Sequence, residues 1–90
     1  MESDIVENYN KYLIGIKSIC GITIKGVSKH ATERFIERNI SVEQTIDVLK
    51  NSNNIYPGNI INTVCQQKDN CRIVINKKTG NIISAVLLSE

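Results

Sequence analysis

The final third of the chain constrains the fold most. From residue 60 to residue 88, three runs rich in β-branched residues are separated by two short turn-forming segments. The spacing predicts strands over residues 60–67, 71–76 and 81–88. Lys68, Asp69 and Asn70 make the first turn. Asn76 through Gly80 make the second, with Gly80 suited to a positive φ. Consecutive strands on connections this short form an antiparallel meander.

The first half carries helical periodicity instead. Ser3 is positioned to cap a first helix, and Ile5, Tyr9, Tyr12, Leu13 and Ile16 recur as one apolar stripe. Gly15 weakens its last turn and Gly21 ends the region. Residues 22–25 are either a short extended piece or a connector. Ser28 caps a second helix that runs to Arg38, where Asn39 tolerates the left-handed conformation that stops a helix. Ser41 and Gln44 form a capping box for a third helix with Val42, Ile46 and Leu49 on its buried side. Asn51 to Gly58 reads as a long polar turn. The fold class is therefore α+β, with N-terminal helices packed on an antiparallel sheet of three or more strands.

Ninety residues support one core and one domain. Residues 1–21 would form the N-terminal helix and connector, and residues 22–90 the core. With no Trp, one Phe and three Tyr, that core must be aliphatic. No apolar run is long enough to span a membrane, so no insertion by this domain is expected. Three cysteines, Cys20, Cys65 and Cys71, with one histidine and no CxxC spacing argue against a structural zinc site. Cys65 and Cys71 flank a turn and are either free thiols or a disulfide pair.

The net charge of +2 is no argument for nucleic-acid binding. Its distribution says more. Lys68, Arg72, Lys77 and Lys78 stand against Asp69 alone between Gln66 and Gly80. Such a local excess suits an anionic partner, or a solvated strand edge.

The chemistry-bearing residues lie on the second helix. His30, the sole histidine, precedes Arg34 and Arg38 at intervals of four, which places all three on one slanted stripe. Ala31, Phe35 and Ile36 are expected to bury the adjoining side. Histidine titrates near neutrality and can move the protons of RNA cleavage. Arginine fits phosphate oxygens and stabilises charge that develops on phosphorus. The alternative is structural: a helix-start histidine, with Arg34 and Arg38 paired to Glu33 and Glu37.

The stretch Gly26-Val27-Ser28-Lys29-His30-Ala31-Thr32-Glu33-Arg34, continued by Arg38, Ile40 and Ser41, resembles the signature of a toxin nuclease family within the barnase–EndoU–colicin–RelE-like (BECR) ribonucleases. Val74-Ile75-Asn76, Thr79-Gly80 and Ile82-Ile83-Ser84 resemble that family's closing hairpin. The likeness runs from about Thr23 to Val86. It implies a BECR-like fold and a metal-independent, cofactor-free endoribonuclease. His30, Arg34 and Ser84 would be catalytic. Lys29, Arg38, Gln67, Arg72, Lys77 and Lys78 would contact RNA. Structured RNA, with tRNA first, would be cut to a 2′,3′-cyclic phosphate and a 5′-hydroxyl.

The resemblance also implies a biological setting. Such domains form the C-termini of contact-dependent inhibition proteins and other polymorphic toxins. This one would be exported within a larger protein, act in the target-cell cytoplasm, and be neutralised by a cognate immunity protein. Its rivals are the toxin of an intracellular toxin–antitoxin pair and a non-catalytic binding module on the same fold.

Overall fold

The computed structural model describes residues 9–88. The expected Ser3 cap and Ile5 lie outside them. A first helix, α1, is described over residues 9–13. Then come β1 (Gly26–Val27), α2 (Lys29–Glu37), α3 (Val42–Asn51), β2 (Asn54–Pro57), β3 (Thr63–Lys68), β4 (Cys71–Asn76) and β5 (Asn81–Leu87). The strands form one sheet in the order β1-β5-β4-β3-β2. The class is α+β, as the patterning implies. The meander of β2 to β5 is antiparallel, and β1 adds a short parallel pairing to β5.

Both complete helices begin as their caps predict. Ser28 Oγ accepts from the Ala31 amide at 3.0 Å, and Ser41 Oγ accepts from the Gln44 amide at 3.0 Å. Asn39 takes φ 54° and stops α2. Gly80 takes φ 76°, and a Cβ there would stand 2.7 Å from the Thr23 carbonyl oxygen, so only glycine fits that turn.

One face of the sheet carries the core. Ile73, Ile75, Ile82 and Ala85 are fully buried beneath Phe35 of α2 and Val48 and Leu49 of α3. Leu13 and Ile24 join the same cluster, so the N-terminal segment belongs to this core. Tyr9 stacks on Phe35 at 4.8 Å between ring centroids and donates to the Ile40 carbonyl at 2.8 Å. Gln66, also fully buried, donates to the Leu49 carbonyl at 3.0 Å and to Ser52 Oγ at 2.9 Å. The Ile19 amide donates to the same carbonyl at 2.9 Å, so two donors meet it at the end of α3.

Four local expectations are corrected. Residues 54–57 form an edge strand inside the expected polar turn. Only one side of that strand is paired, so Pro57 costs no ladder bond. The following strand starts at Thr63, and Ile60 and Ile61 lie in the preceding loop, 65% and 83% exposed. On α2, Thr32 is buried where Ile36 was expected, and Ile36 is 44% exposed. Thr32 meets that burial by donating its hydroxyl to the Ser28 carbonyl at 3.1 Å. Tyr12 faces outward, away from the stripe of Tyr9, Leu13 and Ile16.

Cys20, Cys65 and Cys71 are free thiols. Register explains why Cys65 and Cys71 do not bridge. Cys71 stands opposite Lys68, three residues beyond Cys65 on β3. Side chains alternate along a strand, so the two thiols project from opposite faces.

Candidate active-site cleft

The face of the sheet away from α2 and α3 is open, and register arranges it in transverse rows. Tyr56 of β2 pairs with Cys65 of β3, Cys65 with Val74 of β4, and Val74 with Ser84 of β5. Paired residues point the same way, so these four side chains form one line across four strands. A second line runs Asn54, Gln67, Arg72 and Val86.

The first line floors a cleft of about 420 Å³. Pro57, Gly58, Asn59 and Ile60 wall one end, and His30 and Ile83 stand at the other. Arg72 enters from the second line. Such a volume suits a small ligand or one segment of a polymer.

Three devices set His30 at the β5 end. Gly26 and Val27 pair with Asn81 and Ile82, which fastens the chain to β5 just before α2 starts. The Ser28 amide then donates to the Ile82 carbonyl at 2.9 Å, and Ser28 Oγ to the Ile83 carbonyl at 3.4 Å. His30 is two residues further, in the first turn of α2. The third device is a bulge. Register shifts between Val74 and Ile75, so Ile82 pairs with Ile75 and Ser84 with Val74, leaving Ile83 extra. Extra residues of this kind bend a strand and re-aim its side chains. Ile83 and Ser84, adjacent in sequence, both line the cleft as a result.

The wall of residues 58–62 is closed on itself. The Gly58 amide donates to the Thr63 carbonyl at 3.1 Å, and the Thr63 hydroxyl donates to the Ile60 carbonyl. The Lys77 amide donates to the Asn62 carbonyl at 2.7 Å, which ties this loop to the β4–β5 turn.

The charge balance of the cleft is positive. His30 and Arg72 line it, and no Asp or Glu does. Among the described residues, no group of three His, Cys, Asp or Glu is arranged to hold a metal ion. Arg72 Nη1 donates to the Tyr56 hydroxyl at 3.2 Å, and Tyr56 donates to Gln67 Oε1 at 2.8 Å. Arg72 Nε is buried with no hydrogen-bond partner among the described residues. Leaving such a donor unsatisfied costs about 1–3 kcal/mol or more. Burial pushes the Cys65 thiol on the cleft floor above its ordinary pKa, while the nearby Arg72 charge pulls it down.

The structure brings together some of the expected site residues and separates others. His30, Ser84 and Arg72 line one cleft. Arg34 does not line it, and its guanidinium pairs with Glu37 on the same helix. Arg38 also approaches Glu37, at 3.4 Å. Lys29 is exposed beside His30, while Lys77 and Lys78 are exposed on the β4–β5 turn. Gln67 holds Tyr56 from beside the cleft. Asn59 and Thr63 line the cleft and were not singled out from the sequence. Local charge pointed to Arg72. Its alternation with Cys71, Ile73 and Ile75 places it on the face opposite the core.

Comparison with known proteins finds no matching family model, no matching curated sequence and no matching solved structure. Among the described residues, no helix is long and apolar enough to cross a membrane.

Proposed function

We propose that the protein is an endoribonuclease toxin domain that cleaves RNA by attack of a 2′-hydroxyl on the adjacent phosphate. One observation carries the reading: His30 of α2, Arg72 of β4 and Ser84 of β5 line a single cleft that no carboxylate enters. Backbone phosphate is the anion such a cleft suits, and imidazole is the group that transfers protons at neutral pH.

The assigned steps follow from this arrangement. His30 removes the 2′-hydroxyl proton, and the freed oxygen bonds to phosphorus. The bond from phosphorus to the 5′-oxygen breaks, and that oxygen takes the proton back from the imidazolium. The products are a 2′,3′-cyclic phosphate and a 5′-hydroxyl. Ser84 donates its hydroxyl to a non-bridging oxygen as charge builds there. Its side chain has no hydrogen bond to the described residues, so it is free to do so. Arg72 supplies the cation that draws the backbone in, a part the helix spacing had assigned to Arg34.

The likeness of residues 23–86 to BECR toxins supports the same chemistry and extends it. The substrate is a structured RNA, with a tRNA loop favoured because splayed bases and accessible 2′-hydroxyls occur there. A cognate immunity protein neutralises the domain, which is delivered into a target cell as part of a larger protein.

A binding module is the second reading. The cleft favours it in one respect, offering a single imidazole and no carboxylate as a second proton carrier. Purified protein incubated with total RNA in EDTA decides between them. Cleavage leaving cyclic phosphate ends, lost in His30→Ala by at least about 10²-fold, supports the enzyme. Intact RNA with wild-type protein, or equal cutting by the variant, sinks it.

A further inference from the structure

Arg72 and His30 line the same cleft from different elements, β4 and α2. The Arg72 side chain leaves β4 and meets Tyr56 and Gln67, residues of β2 and β3. His30 stands with Ile83 and Ser84 at β5. From β3 to β5 is two strand spacings, about 10 Å. That separation exceeds what the oxygens of one phosphate can bridge.

The Arg72 guanidinium is also held in a directed chain. Gln67 Nε2 donates to the Asp69 carbonyl at 3.1 Å, which fixes the amide and turns Oε1 toward Tyr56. The Tyr56 proton is committed to that oxygen at 2.8 Å. The phenol is thereby an acceptor toward Arg72, at 3.2 Å. Arg72 has no ion-pair partner among the described residues, and its buried Nε has none of any kind. Between the two ends the floor is Cys65 and Val74, which offer no charge.

We infer that Arg72, positioned by Tyr56 and Gln67, binds the phosphate next to the one at His30, so that the ligand is an extended single strand crossing from β5 toward β2. This deepens the ribonuclease reading and rests on it for the place of the reacting phosphate. The subsite itself requires only a polynucleotide backbone. A single strand can lie in the cleft between α2 and the 57–60 wall, exposing its sugars and bases to the apolar floor.

Calorimetry with uncleavable all-deoxy ligands tests the subsite. The ligands are a dinucleotide with one internal phosphate, the same with a 5′-phosphate, and the same with a 3′-phosphate. One added phosphate should tighten binding at least about tenfold, the worth of one hydrogen bond to a charged group. Arg72→Ala should abolish that gain, and Arg72→Lys should restore only part of it, since an ammonium cannot be held as a fork. Tyr56→Phe and Gln67→Ala should each reduce the gain, with melting curves recorded alongside to separate positioning from folding. No gain at either end in the wild type, or a gain that survives Arg72→Ala, overturns the inference. The ribose versions separate the two claims. A phosphate gain without cleavage keeps the subsite and rejects the nuclease. Cleavage without a gain does the reverse.

Discussion

On the sheet face beneath α2 and α3, Ile73, Ile75, Ile82 and Ala85 are fully buried. On the opposite face, one residue away along the same strands, stand Arg72, Val74 and Ser84, each partly exposed. The covered face meets its one buried amide, Gln66, with two donated hydrogen bonds. The open face leaves the buried Arg72 Nε without a hydrogen-bond partner among the described residues. A buried polar group left unpaired costs stability, a cost that a ligand supplying the missing partner would relieve. The division lets stability reside on one side of β4 and β5 and ligand chemistry on the other.

The comparison breaks most visibly if the open face proves to be a second core. Phe35→Ala, beneath the covered face, should cost roughly 3–5 kcal/mol. At roughly 4–8 °C per kcal/mol for a domain of this size, the fall in Tm should be large. Val74→Ala, on the cleft floor, should cost well under half as much. Equal losses in a thermal melt would mean that the cleft is packed interior.

The next largest effect separates the two arginines. Arg72→Ala should lower RNA cleavage by about 10- to 100-fold, the worth of a hydrogen bond to the charged phosphate beside the reacting one. Arg34→Ala removes a side chain already paired to Glu37 at the helix surface, and should lower cleavage by less than about tenfold. The reverse order in initial rates would restore the helix stripe as the phosphate-binding element.

Cys65 and Cys71 report on the two faces separately. Burial pushes the Cys71 thiol up to about 11. Its folded pKa lies above the unfolded value of about 8.5, so its contribution to stability is complete below that value. The contribution is lost as pH rises toward 11, where the unfolded thiol ionises first. Across that window wild-type Tm should fall more steeply than the Tm of Cys71→Ala. Iodoacetamide should modify exposed Cys20 first, and a bound dinucleotide should slow labelling of Cys65 alone. Protection of Cys71 by the ligand would place the cleft on the wrong face.

The covered face was legible in the sequence because it obeys simple periods. Cys71, Ile73 and Ile75 alternate, and Ser28 and Ser41 announce their helices by capping chemistry. The cleft was legible only in part. His30 and Ser84 were found through motif likeness and Arg72 through local charge, but nothing local joined them. Their meeting depends on β1 pairing with β5 and on the bulge at Ile83, and two-residue pairings and register shifts leave no periodic trace. The edge strand at Asn54–Pro57 was hidden by composition. Asn, Pro and Gly mark turns, and an edge strand tolerates the same residues. Arg34 stands outside the cleft lining. Spacing put it on the His30 stripe, but Glu37, one turn on, takes its guanidinium along the helix surface.

The smallest effect tests whether the rim of the covered face depends on charge. Lys68 of β3 donates to Asp47 of α3 at 2.5 Å, and Asn51 donates to the other Asp47 oxygen at 2.8 Å. The Lys68 hydrogen bond, then that of Asn51, holds the Asp47 carboxyl below its ordinary pKa. A depressed folded pKa gives stability that is present above the unfolded value of about 3.9 and is lost as pH falls through the folded one. Both side chains are partly exposed, and salt screens such a pair, so the gain is small even at neutrality. Asp47→Asn should therefore lower Tm slightly at pH 7 in low salt. The gap should narrow as salt is raised, and close below the folded pKa of Asp47, where the wild-type carboxyl is protonated too. Thermal melts of both proteins across acid pH measure this directly. A gap that persists in strong acid would show that Asp47 acts through its Asn51 bond or its packing, and that α3 is held to the sheet by the apolar contacts of Val48 and Leu49 without help from charge.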